Sequence, residues 1–173
     1  MGKGIDMKKL LLLTAVSALV LSAGNSFADS KPATATVQAT IVGAGTITKS
    51  QDMNFGTIVS STDAQVATLS PDGVLSDNVT VARGDTVKAA QFTVTGDTGM
   101  KYTLAVTSTD LTSGANKMSL SNPVILVNNE TYVGSDNTLK AGGDTIKVGA
   151  DLNIGANQAS GKYSGTLTLT MSY

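Results

Sequence analysis

The chain has 173 residues, with 12 basic and 13 acidic side chains and a formal net charge of −1 at pH 7. It contains no histidine, cysteine or tryptophan. The commonest general base, the thiolate nucleophile and the soft metal ligands are therefore missing, and no disulfide can form. We expect a noncatalytic protein with no catalytic residues, no cofactor and no metal site, because only carboxylates are left for acid-base chemistry.

The N-terminus has the pattern of a secretory signal peptide. Lys8 and Lys9 precede an apolar run over residues 10–20, and small residues occupy the positions read by a signal peptidase, ending at Ala28. We predict that residues 1–28 are removed by cleavage between Ala28 and Asp29. A membrane anchor is the alternative, but the apolar run is shorter than the roughly 20 residues that cross a bilayer.

The predicted mature chain, residues 29–173, is long enough for one domain with its own core. It carries nine basic and twelve acidic residues, for a net charge of −3. No basic patch is present, so we expect no nucleic-acid partner. No apolar run in the mature chain approaches membrane length, so we expect no membrane span.

An N-terminal extension, residues 29–42, comes first and alternates apolar with polar side chains. Its apolar positions are Ala33, Ala35, Val37, Ala39 and Ile41. A period of two predicts a β-strand, and Gly43 and Gly45 predict a hinge before the domain at residues 43–173. The strand could pair within its own domain, or it could act as a donor strand for a neighbouring copy.

Short alternating segments separated by turn residues fill the middle of the chain. We predict strands at residues 46–49, 55–59, 65–70, 78–82, 89–95, 101–107, 118–120, 124–127, 131–133, 145–148 and 150–154. The segments 89–95 and 101–107 predict a hairpin with Gly96 and Asp97 in its turn. Residues 108–117 are polar and predict a looser loop, which could carry ligand contacts.

The cleanest amphipathic strand is the last one. From residue 163 onward its odd positions are glycine or apolar and its even positions are Ser or Thr; the larger side chains are Tyr163, Leu167, Leu169, Met171 and Tyr173. We expect this strand in the body of a sheet, with a partner strand along it.

The predicted fold is all-β. Short strands rich in Thr, Val and Ile, with Gly, Asn and Asp turns and no capped 3.6-residue pattern, indicate an antiparallel β-sandwich of the immunoglobulin-like type. A barrel or jelly roll is the lesser alternative.

Two polar motifs have simple explanations as turns. Asp97, Thr98 and Gly99 match the tripeptide of aspartic proteases, but its second copy is absent and turn chemistry explains it. Asp72, Asp77 and Asp85 could offer oxygens to calcium, yet their spacing matches no dedicated calcium loop.

Five sequence blocks, taken in order, carry a resemblance to a known family. They are residues 51–58 (QDMNFGTI), 90–96 (AQFTVTG), 99–104 (GMKYTL), 148–152 (VGADL) and 158–173 (QASGKYSGTLTLTMSY). The chain resembles the bacterial secreted domain family of unknown function numbered 4402, which is itself similar to chaperone-usher pilins. The resemblance implies a Gram-negative protein that passes through the periplasm to the cell surface. It also implies a periplasmic chaperone and an outer-membrane usher as partners. The acceptor or chaperone-contact residues would be those of the C-terminal strand: Tyr163, Leu167, Leu169, Met171 and Tyr173.

The terminal strands suggest the function. A sandwich that lacks one strand exposes a hydrophobic groove, which an extended segment of a neighbour can fill by donor-strand exchange. We therefore expect a fibre or pilus subunit that polymerises with itself and serves adhesion or biofilm formation. The alternative is a monomeric secreted β-sandwich module that binds a glycan or a host protein through its loops.

Overall fold

A computed structural model describes residues 34–41, 43–82 and 86–173 of the chain. The chain divides into two units, Met1–Ala39 and Thr40–Tyr173. Within the first unit, residues 34–39 form no strand and all their side chains are exposed. The predicted cleavage residues Ala28 and Asp29, and the first predicted donor residue Ala33, lie outside the described residues.

The second unit is built from strands. The described residues form β1 (Thr46–Gln51), β2 (Gln65–Leu69), β3 (Ala90–Thr95), β4 (Lys101–Ser108), β5 (Leu111–Ser113), β6 (Asn116–Val127), β7 (Glu130–Thr131), β8 (Asn137–Thr138), β9 (Asp144–Ile154) and β10 (Leu167–Ser172). No helix occurs among these residues. β-Branched and alternating segments favour the pleated conformation, in which successive side chains point to opposite faces.

The strands form two antiparallel sheets. The large sheet has the order β1-β3-β9-β6-β5, with β2 also paired to β9 and β7 also paired to β6. The small sheet has the order β10-β4-β8. Every strand pair in both sheets is antiparallel.

The main core lies between the two sheets. Phe92, Val94 and Ile146 of the large sheet share a buried cluster with Tyr102 and Leu169 of the small sheet. A second buried cluster lies against β2 and the second half of β9. It contains Phe55, Ala67, Leu69, Val79, Leu152 and Ile154. The chain is therefore an antiparallel β-sandwich, as its periodicity predicts.

Strand β9 organises the large sheet because two strands share one of its edges. β3 pairs with its first half, up to Val148, and β2 pairs with its second half, from Ala150. Gly149 lies at the changeover, where a methyl group would contact the Leu69 carbonyl and lie 2.6 Å from the Pro71 nitrogen. Only a glycine allows the chain that leaves β2 to pass this close.

The predicted hairpin between residues 89–95 and 101–107 is wrong. β3 pairs with β1 and β9, whereas β4 pairs with β10 and β8. The turn at Gly96 and Asp97 carries the chain from one sheet to the other. Val94 and Tyr102 thereby enter the same core from opposite sides, and burial of these side chains outweighs the local hairpin signal.

The expectation that the last strand lies in the body of a sheet is also wrong. β10 pairs with β4 along one side and is an edge strand of the small sheet. Residues 163–166 precede the strand and make a single bridge, between Ser164 and Thr112. Alternation of apolar and polar residues predicts a strand with one buried face. It does not predict whether one or two strands pair with it, and β10 has one partner.

Several predicted boundaries change in the structure. Residues 55–59 and 78–82 form no strand and are joined by one bridge, between Ile58 and Val81. The polar stretch 108–117 contains β5 and the start of β6 rather than a loose loop. The segments at 118–120 and 124–127 belong to one strand, β6. Pro123 has no N–H to donate, and the pairing with β9 shifts register by a β-bulge between Ser121 and Val124, so the strand continues through it.

Candidate functional site: an open groove between the two sheet edges

The sandwich is open along one side, where each sheet ends in an edge strand. Among the described strands, β1 pairs only with β3 and β10 pairs only with β4. The two edges are neighbours, because a methyl group on Gly45 would lie 2.8 Å from the Met171 Cε atom. We call the space between residues 45–60 and residues 158–173 the edge groove. Its borders are the edge strands β1 and β10, whose free edges can accept a further strand, and the segments 53–60 and 158–163, which form no strand.

One end of the edge groove is wide. It holds a cavity of about 610 Å³ between residues 53–60 on one wall and residues 158–163 on the other. The apolar side chains around this cavity are Met53, Phe55, Ile58, Leu111, Met118, Leu152 and Ile154. Val59, on the rim, is 51% exposed. Polar side chains, among them Asn54, Gln158 and Lys162, also line the cavity. The wide end therefore presents a mixed surface, whose apolar part a hydrophobic side chain can cover.

Hydrogen bonds fix the walls of the wide end. The Ser60 hydroxyl donates to the Gln158 carbonyl at 3.1 Å, and the Asn157 amide donates to the Ser61 carbonyl at 2.7 Å. These bonds join the two walls beyond the cavity. Gln158 also donates from Nε2 to the Tyr163 hydroxyl at 2.8 Å, and this hydroxyl donates to the Ala159 carbonyl. The loop before β10 is thus held in place without regular secondary structure.

The other end of the edge groove is narrow. A methyl group on Gly45 would lie 2.6 Å from the Met100 Cε atom, in addition to its contact with Met171. Gly96 lies against the Gly45 Cα, where an added Cβ would be at 3.2 Å. The Asp97 carboxylate accepts a hydrogen bond of 2.5 Å from the Gly43 amide. Asp97, the first residue of the Asp97-Thr98-Gly99 tripeptide, therefore holds the chain that leads into β1.

A buried polar network lies in the core, away from the edge groove. Asp144 is 1% exposed and accepts hydrogen bonds from the Tyr102 hydroxyl at 2.5 Å and from Asn128 Nδ2 at 2.7 Å. The Asn128 Oδ1 atom in turn accepts from the Thr145 amide at 3.0 Å. Burial raises the pKa of Tyr102, and the hydrogen bond to Asp144 and its charge raise it further. The network ties β4 and β9 to the turn after β6.

The structure adds two findings on other kinds of site. Among residues 34–41, 43–82 and 86–173, no three carboxylates come close enough together to share a metal ion. In the same part of the chain, no helix has the length and apolar character needed to cross a bilayer.

Comparison with known proteins identifies the family. The family model described as domain of unknown function (DUF4402) matches residues 46–173. The chain belongs to the DUF4402 family. No curated protein matches it. The resemblance in the five sequence blocks is confirmed at this level, whereas the similarity to chaperone-usher pilins stays a prediction.

The DUF4402 match begins at the first residue of β1 and includes both walls of the wide end. Two of the five predicted contact residues of the last strand border the edge groove, Tyr163 at the wide end and Met171 at the narrow end. Leu169 is buried, Leu167 and Met171 are half-buried against the main core, and Tyr163 lines the cavity. Tyr173 is 63% exposed.

The predicted donor residues precede the DUF4402 match. Ala35 and Ala39 are exposed, and Val37 and Ile41 are 91% and 94% exposed. Residues 34–41 belong to no strand in this single chain. Their pairing with a second copy stays a prediction, because it needs a partner chain.

Sequence reasoning missed most of the wide end. The sequence pattern predicts strands at Phe55 and Met118 and a loop at Leu111. They meet around one cavity because residues 53–60 and 158–163 close over the second core cluster. Segments about 100 residues apart have no local pattern that reveals such a meeting. The one available signal was the spacing of Phe55 and Ile58, which breaks the strand period.

Proposed function

We propose that this DUF4402 protein is a structural subunit of an extracellular fibre or pilus on the bacterial surface. The apolar face of residues 33–41 of one copy enters the edge groove of the next copy and completes its sandwich. The observation that carries the proposal is the side of the sandwich where β1 and β10 are edge strands and where the segments after β1 and before β10 border a partly apolar cavity. The alternating segment just before β1, with Val37 and Ile41 exposed, supplies an occupant of matching chemistry.

The energetics support a stable joint without cysteine. Insertion of Ala33, Ala35, Val37, Ala39 and Ile41 would remove about ten carbons from water, worth roughly 8 kcal/mol at about 0.8 kcal/mol per carbon. Each ladder hydrogen bond would add about 1 kcal/mol. The ordering of the segment and the loss of translational freedom oppose these gains.

The same groove suggests a path to the surface. A subunit that leaves the inner membrane exposes two strand edges and an apolar cavity, which invites aggregation before assembly. A periplasmic chaperone that covers β10 would protect the groove. At an outer-membrane usher, the donor segment of the next subunit would then replace the chaperone. The assembled fibre would then serve adhesion or biofilm formation.

The two faces of the donor segment provide the test. In the chain of residues 29–173, Val37→Asp with Ile41→Asp places charges on the apolar face, whereas Thr36→Asp with Thr40→Asp places the same charges on the polar face. We expect the first pair to abolish polymers and the second to retain them, as measured by light scattering after size exclusion. Equal polymer content in both variants, or a monomeric parent chain, would overturn the proposal.

A further inference from the structure

We propose that the wide end of the edge groove is a site of methionine oxidation, and that sulfoxides at Met53 and Met118 close it to the donor segment of a second copy. The modification is a property of the single chain. Its effect on joining rests on the proposed function.

The methionines of the domain are concentrated at the groove. The chain has six methionines, and the four in residues 29–173 are Met53, Met100, Met118 and Met171. Met53 and Met118 line the cavity of the wide end. Met100 and Met171 border the narrow end. Thioethers that lie far apart in the sequence are thus brought to one side of the sandwich.

The two methionines of the wide end are packed on the core without being sealed inside it. Met53 packs against both core clusters and Met118 against the second one, and both side chains are half-buried. The cavity of about 610 Å³ lies in front of them, so a small solute reaches them from solvent. Met100 is 4% exposed. We therefore expect Met53 and Met118 to react with a small oxidant well before Met100.

The composition directs oxidants to these sulfur atoms. The chain has no cysteine, histidine or tryptophan, so no thiol, imidazole or indole competes with the thioethers for a two-electron oxidant. The proposed location of the fibre also lies outside the reducing cytosol. A peroxide that meets the subunit there finds its most reactive targets in the groove.

The reaction needs one molecule of hydrogen peroxide for each methionine. A lone pair on sulfur attacks one peroxide oxygen, an S–O bond forms, the O–O bond breaks, and water leaves after a proton shift. The sulfur is oxidised by two electrons and the peroxide is reduced by two. The product, methionine sulfoxide, is polar where the thioether was apolar.

A sulfoxide in the wide end opposes joining. Met53 and Met118 pack among apolar side chains of the second cluster, which offer no hydrogen-bond donor to a new oxygen. In the open groove this oxygen stays hydrated, whereas the apolar face of a donor segment would remove its water. We expect oxidation of both residues to lower the equilibrium constant for joining by about tenfold or more.

Matched substitutions separate oxidation from packing. In the chain of residues 29–173, Met53→Leu with Met118→Leu keeps the apolar volume but removes both sulfur atoms. Met53→Gln with Met118→Gln introduces a permanent polar group of similar length. Met171→Leu is the control, because it removes a groove sulfur outside the wide end.

The experiment treats refolded subunits at low concentration with hydrogen peroxide, removes the excess with catalase and then allows assembly. Light scattering after size exclusion measures the polymer yield. We expect peroxide to lower the yield of the natural chain and of Met171→Leu by about tenfold or more and to leave the leucine pair unchanged. The glutamine pair should polymerise poorly without peroxide. Methionine sulfoxide reductases, one for each sulfoxide epimer, should restore the natural chain.

The outcomes separate this inference from the proposed function. Peptide mass spectrometry should find sulfoxides at Met53 and Met118 first, and equally early oxidation of Met100 would overturn the site. Equal losses in the leucine pair, or unfolding of the oxidised chain by circular dichroism, would overturn the wide end as the point of action. Normal polymers from the oxidised natural chain would overturn the effect on joining and leave strand exchange intact. A natural chain that forms no polymer without peroxide would overturn the proposed function, and mass spectrometry would still decide the site.

Discussion

Tyr102 and Asp144 are the pair on which the polar core depends. The Tyr102 hydroxyl donates to a carboxylate that is 1% exposed. Tyr102→Phe removes this donor and leaves part of a buried charge unsatisfied, so we expect the free energy of unfolding to fall by about 1–3 kcal/mol. Urea unfolding of the monomeric fraction measures the change. A variant as stable as the natural chain would show that Asn128 and the backbone satisfy Asp144 without the tyrosine.

The same residue predicts a pH dependence. Burial and the neighbouring Asp144 raise the pKa of Tyr102, so the folded state favours the neutral phenol. Its contribution to stability is therefore complete below the ordinary tyrosine pKa of about 10 and is lost as the pH rises through the higher folded value. We expect the unfolding free energy of the natural chain to fall more steeply above pH 10 than that of Tyr102→Phe. Parallel curves would contradict this assignment.

Gly149 predicts a steric cost at the changeover between β2 and β3. In Gly149→Ala the added methyl group would contact the Leu69 carbonyl and the Pro71 nitrogen, which are backbone atoms. We expect a loss of about 1–3 kcal/mol in unfolding free energy. Gly155→Ala is the matched control, because its methyl group would meet only the end of the Gln158 side chain. Equal effects from both changes would remove the steric explanation.

At the scale of single strands, period-two patterns predict most of the strands and which face of each is buried, although residues 55–59 and 78–82 form no strand. β3 alternates as expected, with Phe92 and Val94 buried, and β10 buries Leu169 between exposed threonines. Strand partners could not be predicted in the same way. The hairpin expected between β3 and β4 does not form, because pairing depends on which segments share a core and not on turn residues alone.

The two faces of β10 test this reading of the strand. Leu169→Ala deletes a buried side chain from the main core and should cost about 2–5 kcal/mol in unfolding free energy. Thr170→Ala, on the exposed face of the same strand, should change it by less than about 0.5 kcal/mol. Thermal and urea unfolding would compare them. A small effect of Leu169→Ala would mean that the small sheet is held mainly by its backbone ladder.

At the scale of the whole molecule, the sequence predicted an all-β sandwich with an alternating segment ahead of it, and the structure confirms the sandwich. The sequence did not reveal the edge groove. The walls of its wide end come from residues 53–60 and 158–163, which lie far apart in the chain and form no strand. The narrow end could not be predicted either. Gly45 and Met171 meet there, but they lie far apart in the chain and share no periodic pattern.

The central claim is that residues 33–41 join one subunit to the next. The most direct measurement compares the chain of residues 29–173 with a chain that begins at Gly43, by unheated gel electrophoresis and negative-stain microscopy. We predict filaments and a heat-sensitive ladder from the longer chain only. A sharp folded monomer from the longer chain, with an unfolded shorter chain, would contradict strand exchange and identify the segment as an internal strand of a self-contained secreted module.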